Sequence, residues 1–128
     1  MARILIVEDE ESIRTMLSQS LKQLDHEIST APDGDQALEF LRENEIDLVV
    51  TDIVMPNREG LETIQDIRQN WPKIKIIAMS GGGRVGNMNY LELAQNFGAT
   101  AALKKPFTMA QLKGAISDAL DQSMWRDE

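Results

Sequence analysis

Apolar residues recur along this chain in two alternating rhythms. Short runs rich in β-branched side chains, at residues 3–7, 46–51 and 74–79, read as strands buried on both faces. Between them, apolar positions fall at helical spacing. Ile13, Met16, Leu17, Leu21 and Leu24 mark a first amphipathic helix, and residues 27–31 form a weaker, alternating strand. Pro32, Asp33 and Gly34 supply turn chemistry ahead of a helix that buries Ala37, Leu38 and Leu41. After Pro56, Leu61, Ile64 and Ile67 predict a third helix, which Pro72 must terminate. Residues 80–86, Ser-Gly-Gly-Gly-Arg-Val-Gly, are too glycine-rich to hold a fixed shape cheaply and are expected to form the most mobile loop. Tyr90, Leu93, Ala94 and Phe97 give a fourth helix stopped by Gly98, and residues 100–104 a short fifth strand. Thr108 with Gln111 makes a capping box that opens a last helix carrying Leu112, Ala115, Ile116, Ala119 and Leu120 on one face.

Strands and helices in strict alternation call for an α/β fold, a doubly wound parallel (βα)5 sheet, because each crossover must be right-handed and bury an apolar helix face. The flavodoxin-like strand order 2-1-3-4-5 is the expected one. It sets the first and third strands side by side. Glu8 and Asp9 then leave the sheet beside Asp52, with Ser80 and Lys105 on flanking strand ends, at the edge where open α/β sheets bind ligands. A chain of 128 residues can bury one good core, and the reading assigns residues 1–128 to a single domain.

Composition narrows the partners. With 21 acidic against 13 basic residues the net charge is -8, which repels phosphate backbones and anionic lipid, so neither nucleic acid nor membrane is an expected partner. Cysteine is absent, which removes thiolate metal sites and disulfides and suits a reducing compartment. The apolar run at residues 4–7 is too short for a signal peptide or a membrane span, so a cytoplasmic location is expected.

The cluster at the sheet edge then asks for a chemistry. Three carboxylates within a few ångströms repel one another, and a hard divalent cation bound through oxygen atoms relieves that repulsion, which is Mg²⁺ chemistry. Lys105 offers a point charge to a phosphoryl oxygen. Asp52 is thereby free to attack phosphorus in line, with the Ser80 hydroxyl and Lys105 holding the equatorial oxygens.

These residues carry a resemblance. Glu8-Asp9 after the first strand, Asp52-x-x-Met55-Pro56 with Gly60 further on, Ser80 after the fourth strand and Lys105-Pro106-Phe107 after the fifth resemble the receiver domain of two-component response regulators. The resemblance spans essentially the whole chain and implies a stand-alone receiver with no output domain, a signalling switch rather than an enzyme. It implies Glu8 and Asp9 as metal ligands, Asp52 as phosphoacceptor and metal ligand, and Val54 as a backbone-carbonyl ligand. Ser80 becomes the switch hydroxyl, Lys105 the phosphate-binding lysine and Lys105-Pro106 a cis peptide. The implied partners are a histidine kinase or histidine phosphotransfer protein and an unidentified target protein, with a monomer as the expected state.

Ala102 departs from the pattern, because the family usually carries an aromatic ring there as a rotamer switch. The segment between Ser80 and Lys105 also runs longer than is usual, which suggests a readout by ordering of residues 81–89 and a shift of the fourth helix. Rival readings fare worse. Residues 81–86 fit G-x-G-x-x-G literally, yet they precede the last strand–helix unit, whereas a dinucleotide fingerprint belongs to the first. A flavin-binding reading would need a phosphate-friendly first loop, and that loop is Glu8-Asp9-Glu10-Glu11. An aspartyl phosphatase would want a second aspartate at the position of Val54. A shuttle or sink for phosphoryl groups stays open beside the switch. His26 is expected on the surface without a catalytic role. Trp71, Tyr90 and Trp125 are expected to pack.

Overall fold

The structure, a computed structural model, describes residues 2–53, 60–81, 84–85 and 88–126. Its central sheet has five parallel strands, β1 (Arg3–Val7), β2 (Glu27–Ala31), β3 (Leu48–Asp52), β4 (Lys75–Ser80) and β5 (Ala101–Lys104), in the order β2-β1-β3-β4-β5. The helices are α1 (Glu11–Lys22), α2 (Gly34–Glu43), α3 (Gly60–Asn70), α4 (Tyr90–Phe97) and α5 (Met109–Arg126). The 2-1-3-4-5 order expected from the alternation of elements is the order found.

The period-two alternation of the strands sorts the core into two layers. Leu5 and Val7, Val49, and Ile76 and Ala78 face α2, α3 and α4, where they meet Ala37, Leu38, Leu41, Ile64, Ile67 and Ala94. Their neighbours Ile4 and Ile6, Leu48 and Val50, and Ile77 and Met79 face the other way, onto Leu17, Leu21, Leu112, Ile116 and Ala119 of α1 and α5. β1, β3 and β4 are therefore continuously apolar over Ile4–Val7, Leu48–Val50 and Ile76–Met79, as strands covered on both faces must be, with polar residues confined to their ends.

Local signals act where the sequence puts them. Asp33 caps α2 by accepting from the backbone N–H of Gln36 at 2.9 Å. Thr108 and Gln111 close the capping box of α5, each side chain taking the other's backbone N–H at 3.1 and 2.8 Å. Gly98 ends α4 with φ of 121°, a conformation that favours glycine. The Lys105-Pro106 bond is cis.

Four features differ from the expected pattern or add to it. β3 and β4 begin later and end one residue further than the apolar runs do, because parallel pairing carries the ladder on to Asp52 and Ser80. The glycine-rich segment is not featureless: Arg84–Val85 and Met88–Asn89 pair as a short antiparallel ladder, a sheet separate from the main one; its mobility and the remainder of the segment at 82–83 and 86–87 lie outside the described residues. Met16, counted with the buried face of α1, is 52% exposed, since α1 covers its layer with Leu17 and Leu21. His26 is half-buried, and its Nδ1 accepts the backbone N–H of Ala2 at 3.2 Å, which makes it a tie between the start of β1 and the turn before β2.

Candidate functional site

At the carboxyl edge of the sheet, β1 and β3 lie side by side, with Val7 opposite Thr51. Glu8 leaves β1 in step with Ile4 and Ile6, and Asp52 ends β3 in step with Leu48 and Val50. Both carboxylates are buried, while Asp9, one residue further, is exposed. Carboxylate oxygens of Glu8, Asp9 and Asp52 come within 4.8 Å of one another. Lys105, arriving from the end of β5, reaches across with Nζ 2.9 Å from Asp52 Oδ2 and 3.3 Å from Glu8 Oε1. Topology brings residues far apart in the chain to one point.

Each group is held by backbone as well as by charge. Glu8 Oε2 accepts the N–H of Glu10 at 3.1 Å, a bond within the turn that leads into α1, so the carboxylate is held by backbone while it faces the cluster. Arg14, on the first turns of α1, donates to the carbonyls of Glu8 at 2.9 Å and Asp9 at 3.1 Å and fixes the acidic loop from behind. The carbonyl of Met79 accepts the N–H of Ile53 at 2.9 Å, which anchors the chain just past Asp52. Gly60 then donates to the Ile53 carbonyl at 2.6 Å, and α3 begins so close to β3 that a Cβ on Gly60 would stand 2.3 Å from the Asp52 carbonyl oxygen. Only glycine permits that approach.

Electrostatics follow from burial and crowding. Burial pushes the Glu8 carboxyl above its ordinary range; its hydrogen bond with Asp9 and the nearby charge of Asp52 add to this, against the pull of the Glu10 N–H and Lys105. For Lys105, burial disfavours the ammonium, but the hydrogen bond and charge of Asp52, joined by Glu8, outweigh it and the group is raised. Ionised carboxylates about 5 Å apart repel by roughly 3 kcal/mol at an effective dielectric near 20. One ammonium leaves three carboxylates undercompensated. A compact set of hard oxygen donors with excess negative charge fits Mg²⁺ and not a soft metal.

Ser80 ends β4 at the same edge and is fully buried; its carbonyl accepts the N–H of Lys105 at 2.7 Å, which couples the two strand ends. Ala102, opposite Ala78 on β4, is half-buried. Val54, expected to offer a carbonyl, lies outside the described residues, as do Met55 and Pro56. Trp71 packs against the α2–α3–α4 layer, as expected, whereas the side chains of Tyr90 and Trp125 are outside the described part. Sequence reasoning missed Arg14 and the reason for Gly60. The position of Arg14 just past the acidic run was the available signal for the first; the second had none beyond its place in the motif.

Comparison with known proteins converges on one group. The family model described as the response regulator receiver domain matches residues 4–117. The chain is 35% identical over 115 residues to a protein described as probable chemotaxis protein CheY from Rhizobium etli, covering 89% of this chain and 88% of that one. It is 33% identical over 122 residues to the DNA-binding transcriptional regulator NtrC of Azospirillum brasilense, covering 95% of this chain but 25% of that one. The chain likewise spans 53% of the length of the regulator CpxR of Escherichia coli. Among solved structures it is similar to the response regulator protein TrrA from Thermotoga maritima in complex with Mg(2+)-BeF, with a TM-score of 0.82 and 33% identity over 93% of this chain and 99% of that one.

Proposed function

Because the chain belongs to the response regulator receiver domain family, we propose that Asp52 accepts a phosphoryl group and that Glu8, Asp9 and Asp52 hold a Mg²⁺ ion beside it. Receiver domains are parts of two-component phosphorelays and serve as signalling switches rather than as classical enzymes. The observation that carries the proposal is the convergence of Lys105 on Asp52 at 2.9 Å within a cluster of three carboxylates. The Mg(2+)-BeF complex of the Thermotoga protein supports it by similarity.

An Asp52 carboxylate oxygen attacks phosphorus while the phosphorus–nitrogen bond of a phosphohistidine donor breaks; the released imidazole takes up a proton. Lys105 exchanges its contact with the carboxylate for one with a phosphoryl oxygen. The Ser80 hydroxyl donates to a second oxygen. When bound, Mg²⁺ would supply positive charge to the phosphoryl oxygens, and Glu8, Asp9 and Asp52 together with the Val54 carbonyl would hold it. The donor is a histidine kinase or a histidine phosphotransfer protein, and the phosphorylated form changes which target protein is bound. The cytoplasm is the place of action, in keeping with a chain without cysteine.

Intact mass after treatment with acetyl phosphate and Mg²⁺ tests this reading. Wild type gains one phosphoryl group, Asp52→Asn gains none, and EDTA suppresses the gain in wild type. Equal modification of both proteins would remove Asp52 from its role.

A further inference from the structure

At the amino end of the sheet, opposite Asp52, the turns after α2 and α3 leave a trough in the surface. One hollow, of about 630 Å³, lies where β1, β3 and β4 begin. A second, of about 620 Å³, runs between α2 and α3. The two share Arg42, Asn70 and Trp71, so they make one continuous feature joined at the indole. Leu41, Ile46, Trp71 and Ile74 give the first hollow an apolar floor that is continuous with the core. An apolar floor inside a charged rim is the anatomy of a protein interface.

The indole at the junction stands on a fixed backbone. Trp71 donates its N–H to the Ile67 carbonyl at 2.7 Å, and its own carbonyl accepts the N–H of Ile74 at 3.1 Å. Arg68 of α3 uses Nη1 to reach the carbonyls of Pro72 at 2.7 Å and Ile74 at 2.9 Å, which closes the turn that follows Trp71. Its Nε and Nη2 donate to the Gly98 carbonyl at 3.0 and 2.8 Å and tie the same turn to the end of α4. Trp71 is half-buried against the core, so a partner that covers the rest of its ring has little left to order.

Charge tells the two hollows apart. Around the first, Arg3, Arg42 and Lys73 balance Glu43, Glu45 and Asp47. The second is one-sided: Asp35, Glu39 and Asp66 line it, with Arg42 the one cation among the described residues there. With -8 over the whole chain, a second copy or a nucleic acid is repelled from such a face. A small molecule finds little enclosure, since Asp35, Glu39, Arg42, Glu43 and Lys73 are all exposed, whereas small-molecule sites cover most of their ligand. A cationic stretch of polypeptide meets both conditions.

We propose that this trough docks a segment of a partner protein whose arginine or lysine side chains lie between α2 and α3, beside Glu39 and the ring of Trp71, while an apolar side chain covers the floor at Leu41 and Ile46. A cation set over an indole gains from the ring as well as from the carboxylates. The five residues of β3, at about 3.3 Å each, separate the trough from Asp52. Docking at this end therefore stands apart from the chemistry at the other, and the inference does not rest on Asp52 being the phosphoacceptor.

Amide chemical shifts of the isotope-labelled full chain, titrated with a short capped peptide of alternating arginine and leucine, test the proposal. Saturating Mg²⁺ competes for the other acidic cluster, at Glu8, Asp9 and Asp52. Shifts are expected to concentrate at residues 35–46 and 66–74. Glu39→Gln weakens binding about threefold and Arg42→Gln tightens it about threefold, since both side chains are exposed and each substitution changes one charge on the wall without touching the core. Trp71→Phe, which keeps a ring in the core but presents a smaller face, weakens it as well. The proposal is overturned if no shifts arise at 35–46 and 66–74, if a glutamate–leucine peptide binds as tightly, or if Glu39→Gln and Arg42→Gln move the affinity in the same direction or not at all. It is equally overturned if spermine alone gives the same shifts at the same concentration, which marks a site for small cations.

Discussion

The two ends of the sheet carry the same charge motif in opposite surroundings. At the amino end, Arg3 bridges Glu45 at 3.0 Å and Asp47 at 3.6 Å; at the carboxyl end, Lys105 bridges Asp52 at 2.9 Å and Glu8 at 3.3 Å. The first trio is open to water, with side-chain exposures of 42, 84 and 42%, whereas Lys105, Glu8 and Asp52 show 28, 1 and 11%. Water screens the first and leaves it little net energy. Burial raises the stakes of the second, because a charge that loses its partner there has no solvent to turn to. A cation between two carboxylates is therefore ornament at one end and a poised site at the other, and the difference lies in depth, not in residue type.

Backbone geometry is the most severe way to break this contrast. Gly60→Ala puts a Cβ where the Asp52 and Ile53 backbone already stands, and should cost about 3 kcal/mol in urea unfolding. It should also weaken phosphorylation by acetyl phosphate, since relief of the clash must move the end of β3.

Lys105→Met tests the buried trio itself. Metal-free protein should lose about 2 kcal/mol, because two crowded carboxylates are left without their cation. Saturating Mg²⁺ should restore most of the loss, as binding to the folded state alone must. Stability insensitive to Mg²⁺ in both proteins would contradict the reading of this edge as a metal site.

A gentler probe is pH. The folded-state carboxyl of Glu8 is raised, so its contribution is fully present below the unfolded value of about 4.3 and is lost as pH rises through the higher folded value. In EDTA, stability should accordingly decline over that acid range more steeply in wild type than in Glu8→Gln. A variant with an unchanged slope would show that Glu8 pays no burial cost.

Arg3→Met should have the smallest effect, under about 1 kcal/mol and smaller still in high salt. An effect equal to that of Lys105→Met would erase the comparison.

Much of this was legible from residue order. Ile4 to Val7 and Leu48 to Val50 announce strands with two covered faces, and the strict alternation with helices leaves few topologies. Given that topology, Glu8, Asp9, Asp52, Ser80 and Lys105 had to arrive at one edge. Arg14 and Arg68 were harder to read. Their partners are backbone carbonyls, which every residue has, so nothing in the sequence marks which carbonyl a guanidinium will find. Met16 misled for a related reason: helical spacing sets a stripe, but the width of that stripe depends on how much of α1 the sheet can cover.

The sequence by itself determined the sheet, its order and the identity of the charged groups at its edge, because periodicity and chain connectivity are properties of one dimension. Only the tertiary structure decided which of two similar charge trios is buried, how near α3 comes to Asp52, and that Arg68 holds the end of α4. Depth and close approach arise from distances across the chain, and solvent access, which no pattern of residues encodes directly, sets what a charge there can do.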